Sequence, residues 1–104
     1  MSRNPIHSTL VCNPDYAELI KEFVTEIPSR MGAIRKSIQD QDSKQLRVLI
    51  HQLRGACGSY GFHPITPLAA AIEEKMKSGA SLDLMKDALE EFISVCLTMT
   101  ADPA

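Results

Sequence analysis

The 104-residue sequence has no tryptophan, and aromatic residues make up only 5 % of it. Its core must therefore be filled by Leu, Ile, Val, Met and Ala. Cysteine is sparse as well: Cys12, Cys57 and Cys96 are widely spaced, odd in number and without a CxxC pair. That pattern argues against a disulfide scaffold and a thiolate metal site, and it assigns Cys57 and Cys96 to packing. No apolar run approaches the roughly 18 residues of a membrane span. The first 13 residues also lack the basic start and apolar stretch of a secretory signal. A cytoplasmic location without a membrane partner is expected. With 11 Lys plus Arg against 13 Asp plus Glu, the chain has no cationic excess to bind nucleic acid. Three histidines without a close pair or an HExxH spacing leave no metal site to expect.

What is present fits one modest domain. Residues 1–14 are polar, proline-containing and without periodicity, and read as an irregular head with room for a short helical turn. From Tyr16 onward, Leu19, Ile20, Phe23, Val24, Ile27, Met31, Ile34 and Ile38 recur at three- and four-residue spacings, the signature of a long amphipathic helix. Pro28 should kink or break it. Asp42 or Ser43 can cap a second helix, inward through Leu46, Leu49, Ile50, Leu53, Ala56, Cys57 and Tyr60. After Gly61-Phe62-His63-Pro64, a third helix is read inward through Leu68, Ala71, Ile72 and Met76, with Gly79 at its end. A fourth runs from Leu82 or Asp83 to Thr98, inward through Met85, Leu89, Phe92 and Cys96. Short links make sequential helices neighbours, so the expected fold is all-α: an antiparallel up-and-down four-helix bundle. Its apolar faces are broader than a coiled-coil seam, and a monomer is expected.

The second helix carries the informative pattern. At about 100° per residue, Lys44, Arg47, Arg54, Gly55 and Gly58 all fall within roughly 60° of His51, opposite the apolar face. Residues 43–63 hold Lys44, Arg47 and Arg54 but no Asp or Glu, a local charge of +3 in an acidic chain. Glycines inside a helix each cost about 1 kcal/mol relative to alanine. At positions four and seven beyond His51 they give an approaching group a low shoulder, or else they allow close helix packing or fray the helix end. A neutral imidazole carries a lone pair that can attack an activated phosphorus and hold the group as a phosphoramidate. Arg54, one turn on, can offer charge-assisted donors to phosphoryl oxygens. Lys44 and Arg47 are suited to steering an acidic partner. Gln52 and Ser59 flank this face and can hydrogen-bond to a partner or to the second ring nitrogen.

The stretch His51-Gln52-Leu53-Arg54-Gly55, followed by Ala56, Cys57, Gly58 and Gly61, resembles the histidine-containing phosphotransfer domain of multistep two-component phosphorelays. That family is marked by a histidine, any residue, Leu, Lys, Gly and a small-residue run ending in Gly. Downstream, Leu68, Ala71, Ile72 and Glu73 resemble the family's third core helix. The likeness spans roughly residues 10–98, leaving 1–9 and 99–104 as flexible ends. It implies a four-helix bundle displaying a phosphoacceptor at His51, with Arg54 in place of the usual lysine. It also implies that the chain is a phosphoryl carrier rather than an enzyme. Its partners would be response-regulator receiver domains, whose aspartates exchange the group, and a hybrid histidine kinase. The receiver would supply Mg²⁺, and this chain would bind no cofactor of its own.

The sequence contains no GxxxxGK[ST], no kinase-type glycine loop and no ATP-binding domain, so autophosphorylation from ATP is not expected. His63 and His7 lie off the displayed face and read as incidental. Cys57 points across the helix from His51, which argues against a Cys-His nucleophile pair. The rival from another class is an interaction module that docks a receiver or a helical protein through the same face without accepting phosphate.

Overall fold

The computed structural model describes residues 4–103. Four helices follow in order: α1 (Pro14–Gln39), α2 (Ser43–Ser59), α3 (Ile65–Lys77) and α4 (Leu82–Cys96). Each packs against the next and α4 returns to α1, so the chain closes a four-helix bundle. Residues 1–3 and 104, part of the ends read as flexible, lie outside the described residues.

Local chemistry sets the boundaries. Asn13 caps α1 by accepting from the Asp15 amide, Asp42 caps α2 through the Gln45 amide, and Ser81 caps α4 through the Leu84 amide. Three interhelix turns share one solution. Beyond α1, α2 and α3, the residues Gln41, Gly61 and Gly79 take positive φ (54°, 82° and 88°). The next amide then reaches back to the end of the helix: Asp42 to Ser37 O, Phe62 to Cys57 O and Ala80 to Lys75 O. This left-handed cap reverses the chain in few residues while satisfying the last carbonyls. Asp42 serves two helices, closing α1 with its amide and opening α2 with its carboxylate.

The inward faces of α1, α2 and α4 lie where the periodicity puts them, except that Leu19 at the edge of the α1 stripe is exposed. Ile20, Phe23, Ile27, Met31 and Ile34 are buried on α1, Leu46, Ile50, Leu53 and Cys57 on α2, and Met85, Leu89, Phe92, Ile93 and Cys96 on α4. α1 runs through Pro28 as one continuous helix, without the break considered above. Phe23 meets Tyr60 and Phe62 at centroid distances of 5.0 and 5.8 Å, which gathers three of the few aromatics at one end of the bundle.

Two readings are corrected. On α3 the inward positions are Ile65, Ala69, Ile72 and Glu73, whereas Leu68 and Ala71 are exposed beside a shallow cleft with Phe92 and Val95 of α4. Ile72 is buried and Met76 packs against the core as read, but the run Ala69-Ala70-Ala71 offers an apolar residue to any face and the position after Ile72 is taken by a buried carboxylate, so periodicity alone misplaces Leu68 and Ala71. The ends of the chain are also more structured than expected. Ile6–His7 (β1) pairs in parallel with Met99–Thr100 (β2), in register Ile6 to Met99. Met99 and Ser8 are buried, and the Thr9 amide donates to Gly61 O at 3.0 Å. Two-residue strands are too short to announce themselves by alternation.

Candidate functional site

Gly61 turns the chain so that α3 returns alongside α2. Gly58 faces Thr66, with its missing Cβ at 4.0 Å from Thr66 Oγ1. His51 lies seven residues before Gly58, and Glu73 seven after Thr66. Antiparallel packing therefore brings those two side chains together. His51 Nδ1 lies 3.3 Å from Glu73 Oε2, Arg54 Nε lies 3.5 Å from Glu73 Oε1, and an Arg54 terminal nitrogen lies 3.5 Å from His51 Nδ1.

Burial is strongly uneven across the triad. The His51 side chain is 65 % exposed while that of Glu73 is 5 % exposed. A buried carboxylate requires donors. The carboxylate only accepts, so its contact with Nδ1 is a hydrogen bond when Nδ1 carries the proton. Arg54 has no acceptor, so with the proton on Nδ1 its 3.5 Å approach to the same nitrogen is not a hydrogen bond, and the guanidinium's attraction is to the carboxylate. That tautomer leaves the lone pair on Nε2, which has no partner among the described residues. The ring is held from below by one nitrogen and open to solvent at the other.

Around it lies a groove of about 470 Å³ lined by Lys44, Arg47, Val48, Gln52, Arg54 and Lys77 with His51 and Glu73. Lys44 and Arg47 are exposed on α2 and also border a second depression of about 410 Å³ with Met76, Gly79 and Leu82. Four cations thus face one buried anion. Gly55 is exposed, and a Cβ there would meet nothing within 4 Å, so packing inside this chain does not require the glycine. Gly58 would make only ordinary contact.

Of the residues picked from the sequence, Lys44, Arg47, Gln52 and Arg54 gather with His51. Gly55 and Gly58 continue along the same helix face toward its end. Ser59 is exposed in the last turn of α2, about 12 Å along the helix axis from His51 and away from the groove. Two residues of the site went unpicked. Glu73 was placed only in the third core helix, and Lys77 was not singled out. The available signal for Glu73 was a carboxylate at a core-facing helical position.

Elsewhere the chemistry is quiet. His63 is exposed beyond α2, and His7 Nδ1 contacts Asp102 O at 2.9 Å. Burial pushes the Cys57 and Cys96 thiols up to about 12, with nearby Arg30 partly opposing the shift at Cys57. Among the described residues, no three His, Cys, Asp or Glu side chains gather as a metal site. No described helix is long and apolar enough to cross a membrane.

The family model described as Hpt domain matches residues 18–98. Together with the four-helix bundle, that match places the chain in the histidine-containing phosphotransfer domain family. Members of this family act in two-component phosphorelays as phosphoryl carriers. No curated protein and no solved structure gives a significant match to the chain.

Proposed function

We propose that the chain is a phosphorelay intermediate that accepts a phosphoryl group on His51 from a receiver-domain aspartyl phosphate and passes it to another receiver aspartate. The observation that carries this reading is the exposed ring tied through Nδ1 to a buried carboxylate, with Nε2 left open.

In the forward step the Nε2 lone pair attacks phosphorus in line with the aspartyl oxygen. The N–P bond forms, the P–O bond breaks, and the aspartate carboxylate departs with the bonding electrons. No proton needs to leave. Nδ1 keeps its hydrogen, so the ring gains positive charge as the bond forms, and the carboxylate of Glu73 at 3.3 Å favours that charge. Arg54 supplies donors toward the equatorial oxygens, whose negative charge is spread in the transition state. Reversal regenerates the neutral ring, as a carrier requires.

Gly55 and Gly58 keep the helix surface low where a receiver must approach, and Lys44, Arg47 and Lys77 give that approach a positive field. Gln52 belongs to the same contact face. Mg²⁺ for the exchange would reside on the receiver, and a hybrid histidine kinase would stand upstream.

The test is incubation with phosphorylated receiver domains, followed by assay for an acid-labile, base-stable phosphoryl group. Labelling of the natural chain and its loss in His51→Gln is the expected outcome. Labelling that persists in His51→Gln removes His51 as the acceptor. Measurable receiver binding without labelling across a broad panel would make the chain a docking module instead.

A further inference from the structure

Glu73 raises an electrostatic problem for the reaction just described. Its buried carboxylate fixes the ring, yet it places a negative charge 3.3 Å from an imidazole that must receive a multiply charged anion. Within a protein such a charge is poorly screened. Its second oxygen, Oε1, is buried and has no hydrogen-bond partner. The nearest cation is the Arg54 guanidinium, with Nε at 3.5 Å, ion-pair distance but longer than a charge-assisted hydrogen bond.

We propose that Glu73 is a positioning residue for Arg54, and that arginine stands at this position because one planar guanidinium can cover the Glu73 carboxylate through Nε while presenting its terminal nitrogens to the phosphoryl oxygens on His51. The proposal rests on His51 being the phosphoacceptor. A guanidinium has five N–H donors spread along a rigid fork, so one edge serves each anion. A lysine ammonium concentrates three donors at a single point on a flexible stem. Turning toward the phosphoryl group would leave Glu73 uncovered, and turning toward Glu73 would leave the phosphoryl oxygens without it. The Arg54 side chain is 35 % exposed, which keeps its outer edge in reach of an incoming group while its inner edge meets the buried acid.

The consequence is an interaction that two single substitutions would miss. Glu73→Gln keeps an acceptor for Nδ1–H but removes the charge that needs covering. Arg54→Lys should therefore slow phosphotransfer by about tenfold in the natural background and by no more than about threefold when Glu73→Gln is also present, the scale of one charge-assisted hydrogen bond. Amide spectra and circular dichroism of each variant establish that it is folded.

A second arm needs neither phosphate nor substitution. In ¹⁵N-labelled protein, hydrogen exchange at the Arg54 Nε–H should be slower by about threefold than at exposed Arg47, because the guanidinium is held at ion-pair distance from a buried carboxylate without donating a full hydrogen bond to it. Glu73→Gln should narrow that gap. Equal exchange at Arg54 and Arg47, or the same Arg54→Lys factor in both backgrounds, overturns the proposal. If His51 never accepts phosphate, the functional reading fails by itself, and the exchange measurement still decides whether Glu73 holds Arg54.

Discussion

Replacing Gly55 with leucine should move stability and function in opposite directions. Gly55 sits inside α2, and no heavy atom lies within 4 Å of the position its Cβ would occupy. The substitution therefore meets no internal clash and recovers close to 1 kcal/mol of helix propensity. For a domain of this size that is about 4–8 °C in melting temperature. The same side chain stands one helical turn beyond His51 on the same face, in the path of a receiver. Accommodating the extra volume in a close-fitting seat costs about 1–3 kcal/mol, or roughly five- to 150-fold in receiver-dependent transfer.

Thermal melting by circular dichroism and rapid-quench transfer from a phosphorylated receiver give the two readings. A small donor such as phosphoramidate needs no such seat, and it should label the variant and the natural chain at similar rates. Natural transfer rates in Gly55→Leu, or a melting temperature below that of the natural chain, would refute the steric argument. The first result would mean that the approaching partner tolerates a side chain there, and the second that the glycine serves the fold.

Three further outcomes follow from buried groups. Cys12 is exposed while Cys57 and Cys96 are buried, so a thiol reagent at pH 8 should modify one cysteine quickly and the other two only on unfolding. Burial raises both inner thiols from 9.0 to about 12. The stabilisation linked to keeping them protonated is complete below pH 9 and lost as pH rises toward 12, which denaturant titrations across that alkaline range should show. Gly61→Ala combines a φ of 82° with a Cβ placed 2.7–3.0 Å from atoms of Ser8 and Thr9. A loss of about 2–4 kcal/mol is expected by chemical denaturation, with His51 labelling retained in the folded fraction.

The bundle was largely legible in the sequence because three of its helices have one dominant apolar stripe each. Ile20 through Ile34, Leu46 through Cys57 and Met85 through Cys96 leave little choice of face. α3 was less so: alanines surround its stripe, and Glu73 occupies a core-facing position that a hydrophobicity rule assigns to an apolar residue. The α3 side of the candidate site was hidden for a related reason. His51, Arg54 and Gly55 share one helix and can be related by 100° steps, whereas Glu73 and Lys77 arrive from the next helix, and their approach depends on the α2–α3 register. The β1–β2 bridge joins residues more than ninety positions apart, so no local window contains the pattern that forms it. Gln41 adopts φ of 54° without being glycine, which is why the first interhelix turn carried no glycine signal.

The bridge between Ile6–His7 and Met99–Thr100 makes the described backbone almost a ring, closed at the pole where Phe23, Tyr60 and Phe62 cluster. His51 stands about 15 Å up the α2 axis from that pole. The clasp thus ties the base of the bundle, like a stem beneath a bud, well away from the exposed imidazole.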